Sequence, residues 1–254
     1  MKNYFSLNNK VALITGGSKG IGEGIAKAFT EVGAKVIIIA RDEKYLKKTC
    51  VQINRKFKDK CKYIVCDINN IEDFKKEIKK INKIDIYVNN AGTNIPEHFL
   101  KVKTQDLDYM INLNLRSLFL STQIIVKKMI KQKKTNTSNF NIINISSTLG
   151  HVGSYHRTVY CMTKFGVEGF TKSLAIDLSK YKIRVNSIAP TAIMTPMLKK
   201  YYNEDFKKKT LPNILLNRIG KTDDVASTAV YLASNGAKFI TGTSILVDGG
   251  WTAK

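Results

Sequence analysis

Proline is scarce in this chain of 254 residues, with four in all, and tryptophan occurs once. The four cysteines, Cys50, Cys61, Cys66 and Cys161, form no C-x-x-C pair, and the three histidines stand apart from them. A metal or redox centre therefore finds no support. Cys61 and Cys66 are five positions apart on an expected strand, which turns them to opposite faces as reduced, structural thiols. No apolar run approaches the ~18 residues of a membrane span. The opening MKNYFSLNNK has no apolar core of a secretory signal, so a cytoplasmic location without membrane anchorage is expected. Acidic residues are also few, 20 against 42 basic ones, for a net charge of +22. Only six of the basic residues are Arg, and Lys is abundant together with Asn and Ile, the bias of an AT-rich genome. The lysines are scattered, with Lys75, Lys76, Lys79 and Lys80 in one segment, Lys131, Lys133 and Lys134 in another, and Lys207 to Lys209 in a third. Solvated faces explain this pattern better than a nucleic-acid surface, although the charge would also steer an acidic substrate or carrier.

What is present is a regular alternation. Seven short runs rich in Val and Ile, at 11–15, 34–40, 61–66, 84–90, 140–146, 183–189 and 244–250, read as strands. Amphipathic segments at 21–32, 42–56, 71–81, 104–130, 156–179 and 222–234 read as helices between them. Such alternation predicts an α/β fold, a doubly wound parallel sheet with helices on both faces, formed as a single domain over 1–254. A polar loop is expected at 135–139, and the long insertion at 195–217 reads as a lid or binding loop.

The first strand runs into Gly16-Gly17-Ser18-Lys19-Gly20-Ile21-Gly22, where a helix opens. Glycines after a first strand allow a tight turn and close approach of a pyrophosphate to the helix N-terminus. The second strand ends in Ala40-Arg41, with no acid to take ribose hydroxyls there. Arg41 and Lys19 suit a 2′-phosphate, whereas Asp42 reads as a helix cap, so NADP(H) is the expected cofactor. Farther on, Tyr160 and Lys164 are spaced i, i+4 and share one helix face. A neighbouring ammonium and the positive nicotinamide would lower the phenol towards neutral pH. Ser147 closes the fifth strand, at the edge where open α/β sheets bind ligands. Its neighbour Ser146 should turn away as a turn residue.

The spacing T-G-x-x-x-G-x-G, the Ser147, Tyr160 and Lys164 set and the segment Asn89-Asn90-Ala91-Gly92 together resemble the short-chain dehydrogenase/reductase family from Lys10 to about Thr252. The resemblance implies a Rossmann-type sheet in the order 3-2-1-4-5-6-7. It further implies adenine contacts at Asp67 and Ile68, cofactor support at Asn90, Ala91 and Gly92, and nicotinamide-side contacts at Pro190, Ile193 and Thr195. Thr191 stands where many members have Gly. Asn114, chosen over Asn112 by its match to N-L-x-S-x-F, would hold a water connecting Lys164 to solvent. Asn114, Ser147, Tyr160 and Lys164 are thus the expected catalytic residues of a hydride transfer between nicotinamide and a carbonyl or alcohol carbon. No metal is expected, and His98, His151 and His156 read as loop or pocket-rim residues.

Two subgroups resemble the chain. The 3-oxoacyl-carrier-protein reductases share the overall pattern, and acyl carrier protein is then a possible partner. Residues 93–103, TNIPEHFLKVK, lack the Arg-Asp pair usual in those enzymes, and the tail DGGWTA resembles sugar-acid dehydrogenases such as gluconate 5-dehydrogenase. A small polar keto substrate, a sugar acid or ketose, is the expectation, in a pocket lined by His151, Tyr155, His156, Met197, Tyr201 and Tyr202. The family resemblance implies a homotetramer, with Leu115, Leu118, Phe119, Phe165, Phe170 and Leu174 suited to either interface or core. Outside the enzymes, a non-catalytic nucleotide sensor or a nucleic-acid-binding protein on the same fold remain the rival readings.

Overall fold

The computed structural model describes residues 3–132 and 140–253. The loop expected at 135–139, and Lys133 and Lys134, lie outside them. Seven strands form among the described residues: β1 (Val11–Thr15), β2 (Lys35–Ala40), β3 (Cys61–Val65), β4 (Ile86–Asn89), β5 (Phe140–Ile145), β6 (Ile183–Pro190) and β7 (Ser244–Val247). They make one parallel sheet in the order β3-β2-β1-β4-β5-β6-β7, as expected. β4, β5 and β6 are buried along their whole length, which is why their sequences are continuously apolar or carry Asn and Ser that find partners inside.

Helices cover both faces. α1 (Gly20–Glu31), α2 (Glu43–Lys56) and α9 (Thr222–Ala233) pack one core, built on Ile14, Ile25, Phe29, Ile38 and Leu232. α3 (Ile71–Lys80), α5 (Ser117–Gln132) and α6 (Thr158–Leu178) pack the other, built on Leu13, Phe74, Tyr87, Ile125 and Val185. Cys61 lies in the first core and Cys66 in the second, so the two thiols do sit on opposite faces. Their pKa values are raised chiefly by burial, as for structural thiols. Local chemistry fixes the helix starts. Asp42 accepts from the Tyr45 N–H at 3.4 Å to cap α2, and Asn70 caps α3 through Asp73 N at 3.3 Å.

Three boundaries differ from the sequence reading. The helix expected at 104–130 is two helices, α4 (Thr104–Ile111) and α5, joined by a π turn at Asn112–Arg116. A π turn slips the 3.6 pattern by about one residue, a phase change too small for patterning alone to reveal. The helix expected from 156 starts at Thr158, because His156 has φ +58°, which no α-helix accommodates. Finally, the 195–217 insertion holds α7 (Pro196–Lys199) and α8 (Glu204–Thr210), capped by Thr195 and Asn203. Much of the lysine excess lies on such exposed helix faces: Lys75, Lys76, Lys80 and Lys207 each pair with an acid three residues earlier.

Candidate active site

The carboxyl ends of β1 and β4 meet where the strand order reverses, the place where open α/β sheets leave a crevice. β1 passes there into the glycine turn. Gly16 and Gly20 have φ of +64° and +59°, in the left-handed region, and a Cβ on Gly22 would lie 2.4 Å from the Gly16 carbonyl oxygen. The turn is held from below by the segment after β4. Asn90 Nδ2 donates to the carbonyls of Thr15 (2.9 Å) and Gly16 (3.1 Å), while the N–H groups of Asn90 and Ala91 donate to Thr15 Oγ1. Ser18 is buried, and its carbonyl accepts from Thr49 Oγ1. Ile21 packs against the core. No side chain caps α1, so its first-turn N–H groups remain available to an anion.

Two cations stand at the rim of the turn. The Lys19 ammonium lies 3.7 Å from the centre of the Tyr45 ring, and Arg41 Nη1 is 3.7 Å from Asp67 Oδ2. Asp42 is spent as the α2 cap, as anticipated. Asp67 also accepts from Asn69 N at 2.9 Å, and Ile68 is buried in the second core. On the far side, Pro190 ends β6. Ile193 is turned into the core, and Thr195 packs its methyl side against Gly20 while capping α7. Thr191 is not among the positive-φ residues, so the turn there does not need glycine.

The four residues expected to be catalytic come together beside Gly92. A Cβ at Gly92 would lie 3.2 Å from Asn114 Oδ1 and 3.9 Å from Lys164 Nζ. Asn114 is buried, whereas Asn112 is exposed. The Asn114 amide makes a two-way pair with the Thr93 backbone, both bonds 2.9 Å, and donates to Thr163 Oγ1 at 3.1 Å. It therefore fastens the loop after β4 to α6. Lys164 is buried and donates to the Ile145 carbonyl at 2.8 Å. Burial lowers its pKa to about 8, against the opposing charge of Glu168. Ser147 hydrogen-bonds the Tyr160 phenol and accepts from Leu149 N.

The protein groups do not lower Tyr160. Burial pushes the phenol up to about 12, and Ser147 and the charge of Arg157 offset only part of this. The sequence expectation weighed charge and left out desolvation. Ser146 lies just after β5 and is buried, with no hydrogen-bond partner for its Oγ among the described residues.

Sequence reasoning missed two residues of this region. Glu168, one turn beyond Lys164, is a buried carboxylate that accepts from Ser187 Oγ (2.7 Å) and Ser244 Oγ (3.1 Å), with His151 Nε2 at 3.3 Å. Its partners come from β6, β7 and the β5 loop, and local spacing carries no signal of such a network. Arg157, just before α6, was the other. The His98 and His156 rings lie 5.7 Å apart at an interplanar angle of 49°, and Tyr155, Met197 and Tyr201 are exposed. Phe119 and Phe165 are about half exposed, while Leu118 is buried, which splits the six apolar residues between surface and core. Among the described residues no group of His, Cys, Asp and Glu could hold a metal, and no helix is long and apolar enough to cross a membrane.

The model of a protein family described as enoyl-(acyl carrier protein) reductase matches residues 16–252. The 3-oxoacyl-(acyl-carrier-protein) reductase FabG of Rickettsia prowazekii is 37% identical over 244 residues, 96% of this chain and 97% of that protein. A short-chain type dehydrogenase/reductase from Mycobacterium marinum superposes with a TM-score of 0.92 at 30% identity, covering 99% of each chain. A gluconate 5-dehydrogenase from Burkholderia cenocepacia, solved with NADP and tartrate, does so with 0.92 at 27% identity, covering 99% of this chain and 98% of that one. The chain belongs to the short-chain dehydrogenase/reductase family and is an oxidoreductase of that family.

Proposed function

We propose that this oxidoreductase interconverts a carbonyl and a secondary alcohol on a small polar keto substrate of the sugar-acid type, using NADP(H). The observation that carries the reading is the Tyr160 phenol, hydrogen-bonded to Ser147 on the helix that also places Lys164, beside a glycine turn flanked by cations. The residues fit the dinucleotide. Gly16 to Gly22 and the uncapped start of α1 would hold the pyrophosphate, and Lys19 and Arg41 a 2′-phosphate. Asp67 and Ile68 would flank the adenine, and Gly92 leaves bare backbone beside Asn114 and Lys164. Asn90 and Ala91 would support the cofactor through the turn, Lys164 its ribose, and Pro190, Ile193 and Thr195 the nicotinamide side. NADPH, when bound, supplies the hydride.

The chain's own residues handle the proton. Ser147 holds the substrate oxygen, and Tyr160, neutral at physiological pH, donates its proton to that oxygen as charge develops there. Lys164 contributes a positive charge nearby, and Asn114 keeps the Gly92 and Thr93 backbone in place for a water path from Lys164. The 195–217 segment serves as the lid of a single catalytic domain, and the exposed Phe119 and Phe165 suit a homotetramer in the cytoplasm. The curated relatives favour a second reading, reduction of a 3-oxoacyl group on acyl carrier protein. Steady-state NADPH oxidation with keto-sugar acids and acetoacetyl thioesters separates the two. Higher kcat/KM for the sugar acids supports the first, and higher kcat/KM for the thioesters replaces it with the second.

Glu168 supplies a pH test. Its carboxylate raises Lys164, so the neutral Glu168→Gln variant should move Lys164 below about 8. Lys164 then loses its proton at lower pH, and the alkaline limb of the kcat profile shifts towards acid. An unmoved limb would show that Glu168 does not act on Lys164.

A further inference from the structure

We propose that Arg157 anchors a carboxylate of the substrate, making this an enzyme for keto or hydroxy acids rather than for neutral ketones; the inference rests on Tyr160 marking the reacting oxygen. Arg157 is the residue immediately before α6, three residues ahead of Tyr160. Its guanidinium is half-buried. The phenols of the lid residue Tyr201 and of Tyr160 and the Cys161 thiol lie close enough to interact with its charge.

The distinguishing feature is a partly buried guanidinium without a counter-charge, whereas Arg55 and Arg116, which also make no ion pair among the described residues, are exposed. Among the described residues, Arg41 pairs with Asp67 and Arg218 with Asp224, while Arg184 donates to the carbonyls of Leu232, Ser234 and Ile240. Arg157 makes no such ion pair, and its Nη1 donates to the carbonyl of His156 at 3.1 Å. A guanidinium offers five N–H donors, so most of its fork is uncommitted. Glu97 donates its N–H to the same His156 carbonyl, and its Oε1 accepts from His98 N at 2.7 Å. A partly desolvated, unpaired cation is costly unless an anion completes it, and a carboxylate matches the fork with two parallel bonds.

His156 explains how the arginine is held. Its left-handed backbone, φ +58°, is uncommon for a residue with a side chain, and its carbonyl receives both the Glu97 N–H and Arg157 Nη1. The bend thus sets Arg157 ahead of the first turn of α6 instead of letting the helix begin two residues earlier.

The test compares the full-length enzyme with Arg157→Met and Arg157→Lys in two assays. The first measures affinity for tartrate, an unreactive dicarboxylate probe, by calorimetry in the presence of NADP. Arg157→Met should weaken it about 30-fold or more, the scale of a lost charge-assisted hydrogen bond, and Arg157→Lys should weaken it less. Equal tartrate affinity in wild type and Arg157→Met, with NADP binding retained in both, overturns the proposal. So does an absence of tartrate binding to the wild type. The second assay takes the ratio of kcat/KM for a keto-sugar acid to that for a matched neutral ketose. The ratio should collapse in Arg157→Met, and a parallel fall on both substrates would assign Arg157 to Tyr160 alone. Should the wild type turn over neither substrate while still losing tartrate binding on Arg157→Met, the function proposed above fails and the anion site stands.

Discussion

Tyr160→Phe should cost about 10³-fold in kcat, within the range for loss of a general acid, while NADPH affinity and thermal stability stay near wild type. The removed oxygen is the group that Ser147 hydrogen-bonds, and the ring itself remains to pack against its neighbours. The direction of the pKa shift sharpens the expectation. Because burial holds the phenol at about 12 on the protein's side, the form present at neutral pH is the protonated one, which suits proton donation during carbonyl reduction. Oxidation of the alcohol needs the phenolate, and the wild-type rate in that direction should therefore rise with pH across the range where the reduction rate does not. Retention of more than a tenth of the reductase activity in Tyr160→Phe would remove Tyr160 from the mechanism.

Gly22→Ala should be the most damaging single-methyl change in the cofactor turn. The added Cβ would meet the Gly16 carbonyl oxygen at 2.4 Å and Asn90 Nδ2 at 2.5 Å, both of which belong to the bonds that hold the turn. Neither partner is the free end of a flexible chain, so the backbone must move. Overpacking of this kind destabilises by about 1–3 kcal/mol, and here it also displaces the N–H groups at the start of α1. Urea denaturation should show the loss of stability, and NADPH fluorescence titration should show binding weakened by more than the stability loss alone explains. Binding at wild-type strength would mean that the glycine turn is not where the pyrophosphate sits.

The strands were legible because each is written locally, while their order came only from the family resemblance. VALIT, KVIIIA and IRVNSIA are dominated by Val, Ile, Leu and Ala, the pattern favoured in parallel strands covered on both faces. The glycine turn, Ser147 and the Tyr160, Lys164 pair were legible for a different reason: their chemistry depends on short, fixed spacings along one element. What was hidden depends on distant chain segments. The π turn at Asn114 is set by how α4 and α5 pack rather than by a residue type, and Glu168 looks like an ordinary helix glutamate until Ser187, Ser244 and His151 arrive from other elements. The upward shift of Tyr160 was hidden likewise, since sequence displays charges and not desolvation. The 195–217 segment was visible as an insertion, but its division into α7 and α8 rests on the Thr195 and Asn203 caps, which compete with equally plausible polar neighbours.

The central claim is that hydride from NADPH reaches a substrate carbonyl carbon in this crevice. Incubation of the wild-type enzyme with NADPH deuterated at C4 and a keto-sugar acid, followed by mass spectrometry of the product, tests it directly. One deuterium on the new carbinol carbon, absent from the Tyr160→Phe reaction run for the same time, is the predicted result. NADPH consumed with no label in the product, or no product from either a keto acid or an acyl thioester, would contradict it.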